Sequence, residues 1–316
     1  MATAVIDPVS VPTGIGTREI IDLANPVLNL QKIESPQASI HACAQRYGSQ
    51  AVRSIFEKLA EREEAAAFEV IDLSDNNIGD AGIAHLSEGL AGNANLKKLI
   101  LPRARFGAGG FKALGGLLAA TPNLKELVAS SNICDAEGIS GEFCFGLSEN
   151  TSLQSLVISA CRIGDAGAAA LLKGPLKRHP SLEHVSLSYN RLESAVAASV
   201  NEMLAANKVL RFLDLKGNSL GPAGAEALLK GLEANGGNLQ KLGLAQNCIR
   251  LQGARALSKH FMSPQGATLD YLDLRHNNVT YYGLCDLRNG ILGRPMDGPE
   301  GWMLLYGARQ LLLNAH

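Results

Sequence analysis

Eight copies of one short pattern follow one another along the chain, each starting 28 to 30 residues after the last. The first reads Phe68-x-x-Ile71-x-Leu73-x-x-Asn76-x-Ile78, with Gly82 four residues on. The others start at Leu96, Leu124, Leu153, Leu182, Leu210, Leu239 and Leu269. Within a copy the apolar residues alternate, as in Leu99-x-Leu101, which is the period of a half-buried strand. Beyond the glycine the spacing turns helical, as in Ala168, Leu171 and Leu172 or Ala225, Leu228 and Leu232. A strand always followed by a helix gives parallel strands with the helices outside them. One such unit cannot bury its own apolar edge, so neighbouring copies must stack.

This frame resembles the leucine-rich repeat family, whose core reads LxxLxLxxN-x-L. The period and the trailing glycine look like its ribonuclease-inhibitor class. The resemblance covers about Phe68 to Ile291. It implies an α/β right-handed solenoid, a horseshoe with parallel strands on the concave face and helices on the convex face. It also implies a structural ladder at the ninth position, where an inward-facing polar residue bonds neighbouring loop backbone. Asn76, Asn132, Cys161, Asn190, Asn218, Asn247 and Asn277 stand there. Ala104 cannot make such bonds and Cys161 only weak ones, so looser or water-mediated turns are expected in the second and fourth repeats. Val196 stands in the fifth copy where the others have glycine.

The ends lack the pattern. Residues 1–17, with Pro8, Pro12, Gly14 and Gly16, read as an extended arm. Residues 18–67 read as a helical N-terminal cap or a degenerate repeat. Ser35-Pro36 suits a helix start, and Ile40, Cys43, Tyr47 and Ala51 follow at helical spacing. Residues 68–291 hold the repeats. Residues 292–316 read as a loop and a cap helix with Trp302, Leu305, Tyr306 and Leu312 on one face.

Composition excludes several function classes. With 29 Lys plus Arg against 30 Asp plus Glu, the formal net charge is −1. That argues against nucleic-acid binding and against an acidic trap for basic partners. There is no signal-peptide pattern at the start and no apolar run of the ~18 residues a membrane helix needs. A cytoplasmic location is the resulting expectation. The six cysteines, Cys43, Cys134, Cys144, Cys161, Cys248 and Cys285, form no CxxC pair and read as free, buried thiols. The sequons at Asn150 and Asn278 read as chance matches.

No nucleotide-binding loop, zinc motif or nucleophile elbow is present, so no catalysis, cofactor, metal or small-molecule substrate is expected. Gly107-Ala108-Gly109-Gly110 is like a phosphate-binding turn, and Asp75-x-Asn77 with Gly79 is faintly like a calcium loop. The repeat's own Gly and Asn account for both.

The third, fifth and seventh residues of each repeat should face the concave surface. In the middle row Ile100, Val128 and Val157 are apolar where solvent would be expected, and Phe212 and Tyr271 add aromatics in the row before. Beside them the loops carry Arg103, Arg105, Arg162, Tyr189 and Arg191. Apolar strips with polar rims, and Arg and Tyr anchors, mark protein interfaces. The expected function is a non-enzymatic protein–protein interaction module or scaffold, using the concave face and flanking loops within a larger assembly. Short proteins of this repeat class also resemble components of ciliary and flagellar assemblies, including axonemal ones. The alternative is a GTPase-activating protein resembling the Ran activator, although this chain ends WMLLYGARQLLLNAH where that family has an acidic tail. A ribonuclease inhibitor fits less well with a net charge of −1 and six cysteines.

Overall fold

Each repeat forms a strand of three residues, whose central side chain points inward while its neighbours point out. The computed structural model describes residues 20–21, 39–41, 48–54, 68–261, 269, 271–292 and 310–312. In the eight repeats the strands are β3 (Val70–Asp72), β4 (Lys98–Ile100), β5 (Glu126–Val128), β6 (Ser155–Val157), β7 (His184–Ser186), β8 (Phe212–Asp214), β9 (Lys241–Gly243) and β10 (Tyr271–Asp273). Their central residues pair in register from Ile71 through Leu99, Leu127, Leu156, Val185, Leu213 and Leu242 to Leu272. This row is at most 3 % exposed. Behind it lie the helices, among them Gly79–Leu90, Ala108–Ala120, Gly164–Lys173 and Gly221–Asn235. The result is a right-handed α/β solenoid with an open parallel sheet.

Two strands, β1 (Ile20–Ile21) and β2 (Ser39–His41), precede the repeats, and β11 (Gln310–Leu312) follows them. All eleven form one sheet in chain order. At Ile40 and Leu312 strand replaces the expected helical spacing, residues 49–54 are helical, and a strand before β3 agrees with the alternative of a degenerate repeat. Ile40 lies in a strand paired with Ile71, and Leu312 in a strand paired with Asp273. The edge of a parallel sheet presents unpaired N–H and C=O groups, and pairing them outweighs local helical spacing. The arm at 1–17, Cys43 and Trp302 lie outside the described residues.

The glycine of each repeat marks where helix starts abut. A Cβ on Gly138 would lie 2.6 Å from Cα of Ala108, one repeat earlier. On Gly253 it would lie 3.3 Å from Cα of Pro222. Val196 is tolerated because residues 193–195 are not helical there and the helix begins at Val196 itself (Val196–Ala206).

Side chains also join the loops. Asn218 Oδ1 accepts from the N–H groups of Asn190 and Leu192 at 2.9 and 3.0 Å, while Nδ2 donates to the carbonyls of Leu187 and Leu215. Asn277 treats Asn247 and Ile249 in the same way. Cys161 places Sγ 3.4 Å from the carbonyls of Ala129 and Ser159, the acceptors an amide would use. Its backbone carbonyl accepts from Cys134 N–H at 2.9 Å, and that of Ala104 accepts from Ile78 N–H at 3.1 Å. The looser turns foreseen at Ala104 and Cys161 are therefore closed by direct backbone bonds. The deficit falls on Asn132 Oδ1, which is buried without a hydrogen-bond partner.

A second ladder runs through the far side of the solenoid. Asn93, Thr121, Asn150, His179, Asn207 and Asn235 are all buried. Asn150 Oδ1 accepts from Ser152 and Leu153 N–H, and Nδ2 donates to the carbonyls of Leu118 and Thr121 in the preceding repeat. Asn207 and Asn235 repeat the scheme. In His179 Nδ1 accepts from Ser181 N–H at 3.4 Å, while Nε2 faces the backbone of Leu147 and Asn150 in the preceding repeat without reaching hydrogen-bond geometry. Burial holds the His179 pKa below the ordinary histidine value.

Two stability predictions follow from these ladders. Asn218→Ala leaves two buried N–H groups unpaired and should cost about 2–3 kcal/mol, whereas Cys161→Asn replaces a weak S–H donor and should gain about 1 kcal/mol; urea midpoints measure both. For His179, the folded state keeps the ring neutral while the unfolded chain takes up a proton. Its stabilising contribution is full above the free histidine pKa of about 6.5 and is lost as pH falls below it. His179→Asn should lose less stability between about pH 7 and 5 than the wild type. Parallel urea midpoints at the two pH values would contradict this assignment.

Candidate partner-binding surface

The end of each strand decides what faces the concavity. In β3, β8 and β10 the last residue is Asp72, Asp214 or Asp273. The Oδ1 of each accepts the N–H two residues on, from Ser74, Lys216 and Arg275, at 3.0 to 3.1 Å. This bond caps the turn leaving the strand. In β4, β5 and β6 the same position holds Ile100, Val128 and Val157, paired side by side in register. Their side chains are half-buried and point outward beside one another. At Ile100 an acid could not cap the turn, because residue 102 is proline and has no N–H. At Val128 and Val157 the following residues are Ser130 and Ser159, which do have one. At Val128 the chain forgoes a bond worth about 1 kcal/mol and presents apolar surface instead. At Val157 the Ser159 N–H donates to Ser130 Oγ at 3.3 Å, and the strand end is apolar there too.

The strip ends at a hydroxyl cluster. Ser159 Oγ lies 3.0 Å from Ser186 Oγ and 2.8 Å from Ser188 Oγ. Ser186 Oγ donates to Asp214 Oδ2 at 3.1 Å. Burial raises the Asp214 pKa, and its hydrogen bonds oppose the rise. Every member has a partner, so the cluster is a satisfied network. Lys98 and Glu126 form an ion pair of 2.9 Å in the neighbouring row.

The structure does not join Phe212 and Tyr271 to the strip. Both occupy the first strand position, and Lys241 stands between them in register. The Phe212 ring packs on His184, with centroids 4.5 Å apart. That environment lowers the His184 pKa, chiefly by desolvation.

All five loop candidates adopt left-handed backbone, with φ of 53° at Arg103, 61° at Arg105, 64° at Arg162, 56° at Tyr189 and 61° at Arg191. Arg105, Arg162 and Arg191 share that conformation with Cys248 and Asn278 just after the ladder position. At Arg103 and Tyr189 the cause is the repeat, since the residue just before the ladder position is left-handed in all eight copies, from Asp75 to His276. Only Gly217 among them escapes the penalty of about 1–2 kcal/mol for a side chain there. That lone glycine is the sequence signal for the turn.

The five differ in what their side chains do. Arg103 is tied to Asp75, with Nη2 2.7 Å from Oδ2 and Nε on Oδ1. This bond lowers the Asp75 pKa and raises that of Arg103. Tyr189 lies across the next loop, where a Cβ on Gly217 would sit 2.3 Å from its ring, and its hydroxyl donates to Gln246 Oε1 at 2.6 Å. Arg105, Arg162 and Arg191 are exposed and pair with nothing among the described residues. They share one loop position, directly after the ladder residue. In the third repeat that position holds Ile133, which is 64 % exposed and was not singled out from the sequence, although it recurs at the same period.

The motifs with a chemical likeness have structural duties. Gly107 and Gly110 N–H groups do hold an anion, the Asp80 carboxylate of the preceding repeat, at 2.6 and 2.9 Å. Asp75 is engaged by Arg103, and no metal-holding group of His, Cys, Asp and Glu occurs among the described residues. Cys134 and Cys161 are buried thiols whose pKa is pushed up to about 12, chiefly by desolvation. Cys144 and Cys285 are half-buried and Cys248 is exposed, which corrects the reading of all the cysteines as buried. Asn150 of the first sequon is 3 % exposed and spends its amide in the second ladder. Among the described residues no helix is long and apolar enough to cross a membrane.

The profile of a family described as "Leucine Rich repeat" matches residues 68–87, 149–172 and 206–229. Similar curated proteins include the ribonuclease inhibitor of Sus scrofa, 30 % identical over 226 residues, or 71 % of this chain and 49 % of the relative. The ribonuclease inhibitor of Mus musculus is 32 % identical over 213 residues, or 66 % of this chain and 46 % of the relative. The chain thus spans about half the length of these relatives. Among solved structures, the leucine-rich repeat-containing protein LegL7 of Legionella pneumophila has a TM-score of 0.48 at 16 % identity, covering 87 % of each chain.

Proposed function

We propose, for a chain that is a leucine-rich repeat protein of the ribonuclease-inhibitor-like class, a non-enzymatic role as a protein-binding scaffold. The partner sits on the concave strip of Ile100, Val128 and Val157 and reaches the loops beside it. The observation that carries this reading is the exchange of a turn-capping acid for β-branched side chains in adjacent repeats. At Val128 the local fold gains nothing from that exchange, and across all three repeats it leaves one continuous apolar row that suits a contact. Surrounding groups that are already paired, such as Lys98 with Glu126 and Ser186 with Asp214, form the polar rim of such a contact.

The partner's setting is part of the proposal. We place the protein in the cytoplasm, within a larger assembly of the ciliary or flagellar kind, a setting carried by the likeness to short proteins of this class. GTPase activation, with the loop arginines reaching a bound nucleotide, is the second reading, and the three unpaired arginines favour it. It requires faster GTP hydrolysis by a small GTPase when this protein is added. Inhibition of a basic ribonuclease is opposed by those same cations.

The strip is tested by Val128→Asp with Val157→Asp. At residue 128 the acid would meet the turn N–H as Asp72 and Asp214 do in their own repeats, whereas at residue 157 it would compete with Ser130 Oγ and stand beside the first acid. The melting temperature should therefore fall only slightly, and circular dichroism should show a folded protein. Proteins captured by the wild type from the source cell, quantified by mass spectrometry, should drop at least about tenfold on the double variant, as expected when a buried apolar anchor becomes charged. Undiminished capture by the folded variant would refute the strip as the binding site.

A further inference from the structure

The loop edge that carries Arg105, Ile133, Arg162 and Arg191 has acids as well as bases, but their states differ. Asp80 accepts from Gly107 and Gly110 N–H, Asp135 from Gly138 N–H, and Asp165 from Glu193 N–H. These carboxylates are spent on backbone N–H groups, at helix starts for Asp80 and Asp135 and in the loop before a helix for Asp165. Arg103, one row toward the concavity, is neutralised by Asp75. Asp80, Asp135 and Glu193 are exposed acids near this row, and no ion pair joins any of them to an arginine. Arg105, Arg162 and Arg191 are left pointing to solvent with Ile133 among them. A chain with a net charge of −1 thus gathers unpaired cations on a single edge.

We infer that this edge docks an extended acidic peptide segment, whose carboxylates meet Arg105, Arg162 and Arg191 and whose apolar residue covers Ile133. The inference rests on the reading above that the module binds protein, and it adds the charge and shape of the partner. Repeats on the strand side are ~4.8 Å apart, so the row from Arg105 to Arg191 spans roughly 15 Å, the length of about five extended residues. Guanidinium groups bind carboxylates bidentately, and an exposed Ile between them suits one aliphatic side chain. The apolar strip lies beside this edge, so a longer segment could continue onto it. A nucleic acid is disfavoured because the exposed residue within the row is Ile133, and single strands are held by aromatic platforms.

The test is selection of a random twelve-residue peptide library on the full-length protein, with fluorescence titration of the selected peptides. The expected consensus is rich in Asp and Glu with at least one aliphatic residue. Its affinity should fall as salt is raised from about 50 to 500 mM. In Arg105→Glu with Arg162→Glu and Arg191→Glu it should fall at least about tenfold, and the three corresponding Arg→Lys changes, which keep the charge and lose the bidentate fork, should weaken binding by less than the Glu changes do. A neutral or basic consensus, no selected peptide at all, or an acidic consensus that the triple Glu variant still binds would each overturn the inference. So would a mixed-sequence single-stranded oligonucleotide that binds more tightly than the selected peptides. Failure here with loss of cellular capture by the Val128→Asp, Val157→Asp variant leaves the strip standing without the acidic edge. Capture that persists in that variant removes the strip itself.

Discussion

A repeat of this chain cannot satisfy its own backbone, and the hydrogen bonds that buried asparagines make to the neighbouring turn hold the solenoid together. A three-residue strand followed by a sharp turn leaves N–H and C=O groups that lie too deep for water. Asn218 closes two N–H groups of the preceding loop and two carbonyls at once. The second ladder does the same on the far side through Asn150, Asn207 and Asn235. Each amide therefore joins adjacent copies, and the stability of any repeat belongs partly to its neighbours.

This division of labour determines which surface is available for binding. Inward positions are fixed by the core, the ladder positions by the turns, and the glycines by helix starts in backbone contact. Even the exposed Asp80 and the half-buried Asp165 are committed to backbone N–H groups of the next repeat. Along the concave face and its loop edge, the described residues left without a structural duty include the outward strand ends of the second to fourth repeats and the loop residues after the ladder from the second to the fifth. Both sets carry residues that the fold does not require. The apolar strip and the cationic edge are adjacent, which is why they are read as parts of one surface.

Much of this was legible in the residues. The 28–30-residue period located every strand from β3 to β10, because inward side chains recur whenever a unit must stack. The outward direction of Ile100, Val128 and Val157 followed from strand alternation. Other features were hidden for identifiable reasons. The second ladder lies outside the recognised motif and mixes Asn with Thr121 and His179, so only its period reveals it. The left-handed turns are masked because seven of the eight positions carry side chains. β2 and β11 escaped because pairing with the sheet edge overrode a helical spacing in Ile40 and Leu312. Which arginines are free depends on Asp75, 28 residues from Arg103, and repeat spacing alone does not disclose that contact.

The central claim is that buried side-chain amides, rather than the short strands alone, secure the turns. Native-state amide hydrogen exchange measures this directly, residue by residue. The loop N–H groups of Asn190, Leu192, Asn247 and Ile249, which donate to an asparagine of the next repeat, should be protected as strongly as the central strand residues. The loop of the second repeat, facing the unpartnered Asn132 Oδ1, should exchange faster than those loops. Uniformly fast exchange in every loop, with protection confined to the strands, would contradict the account.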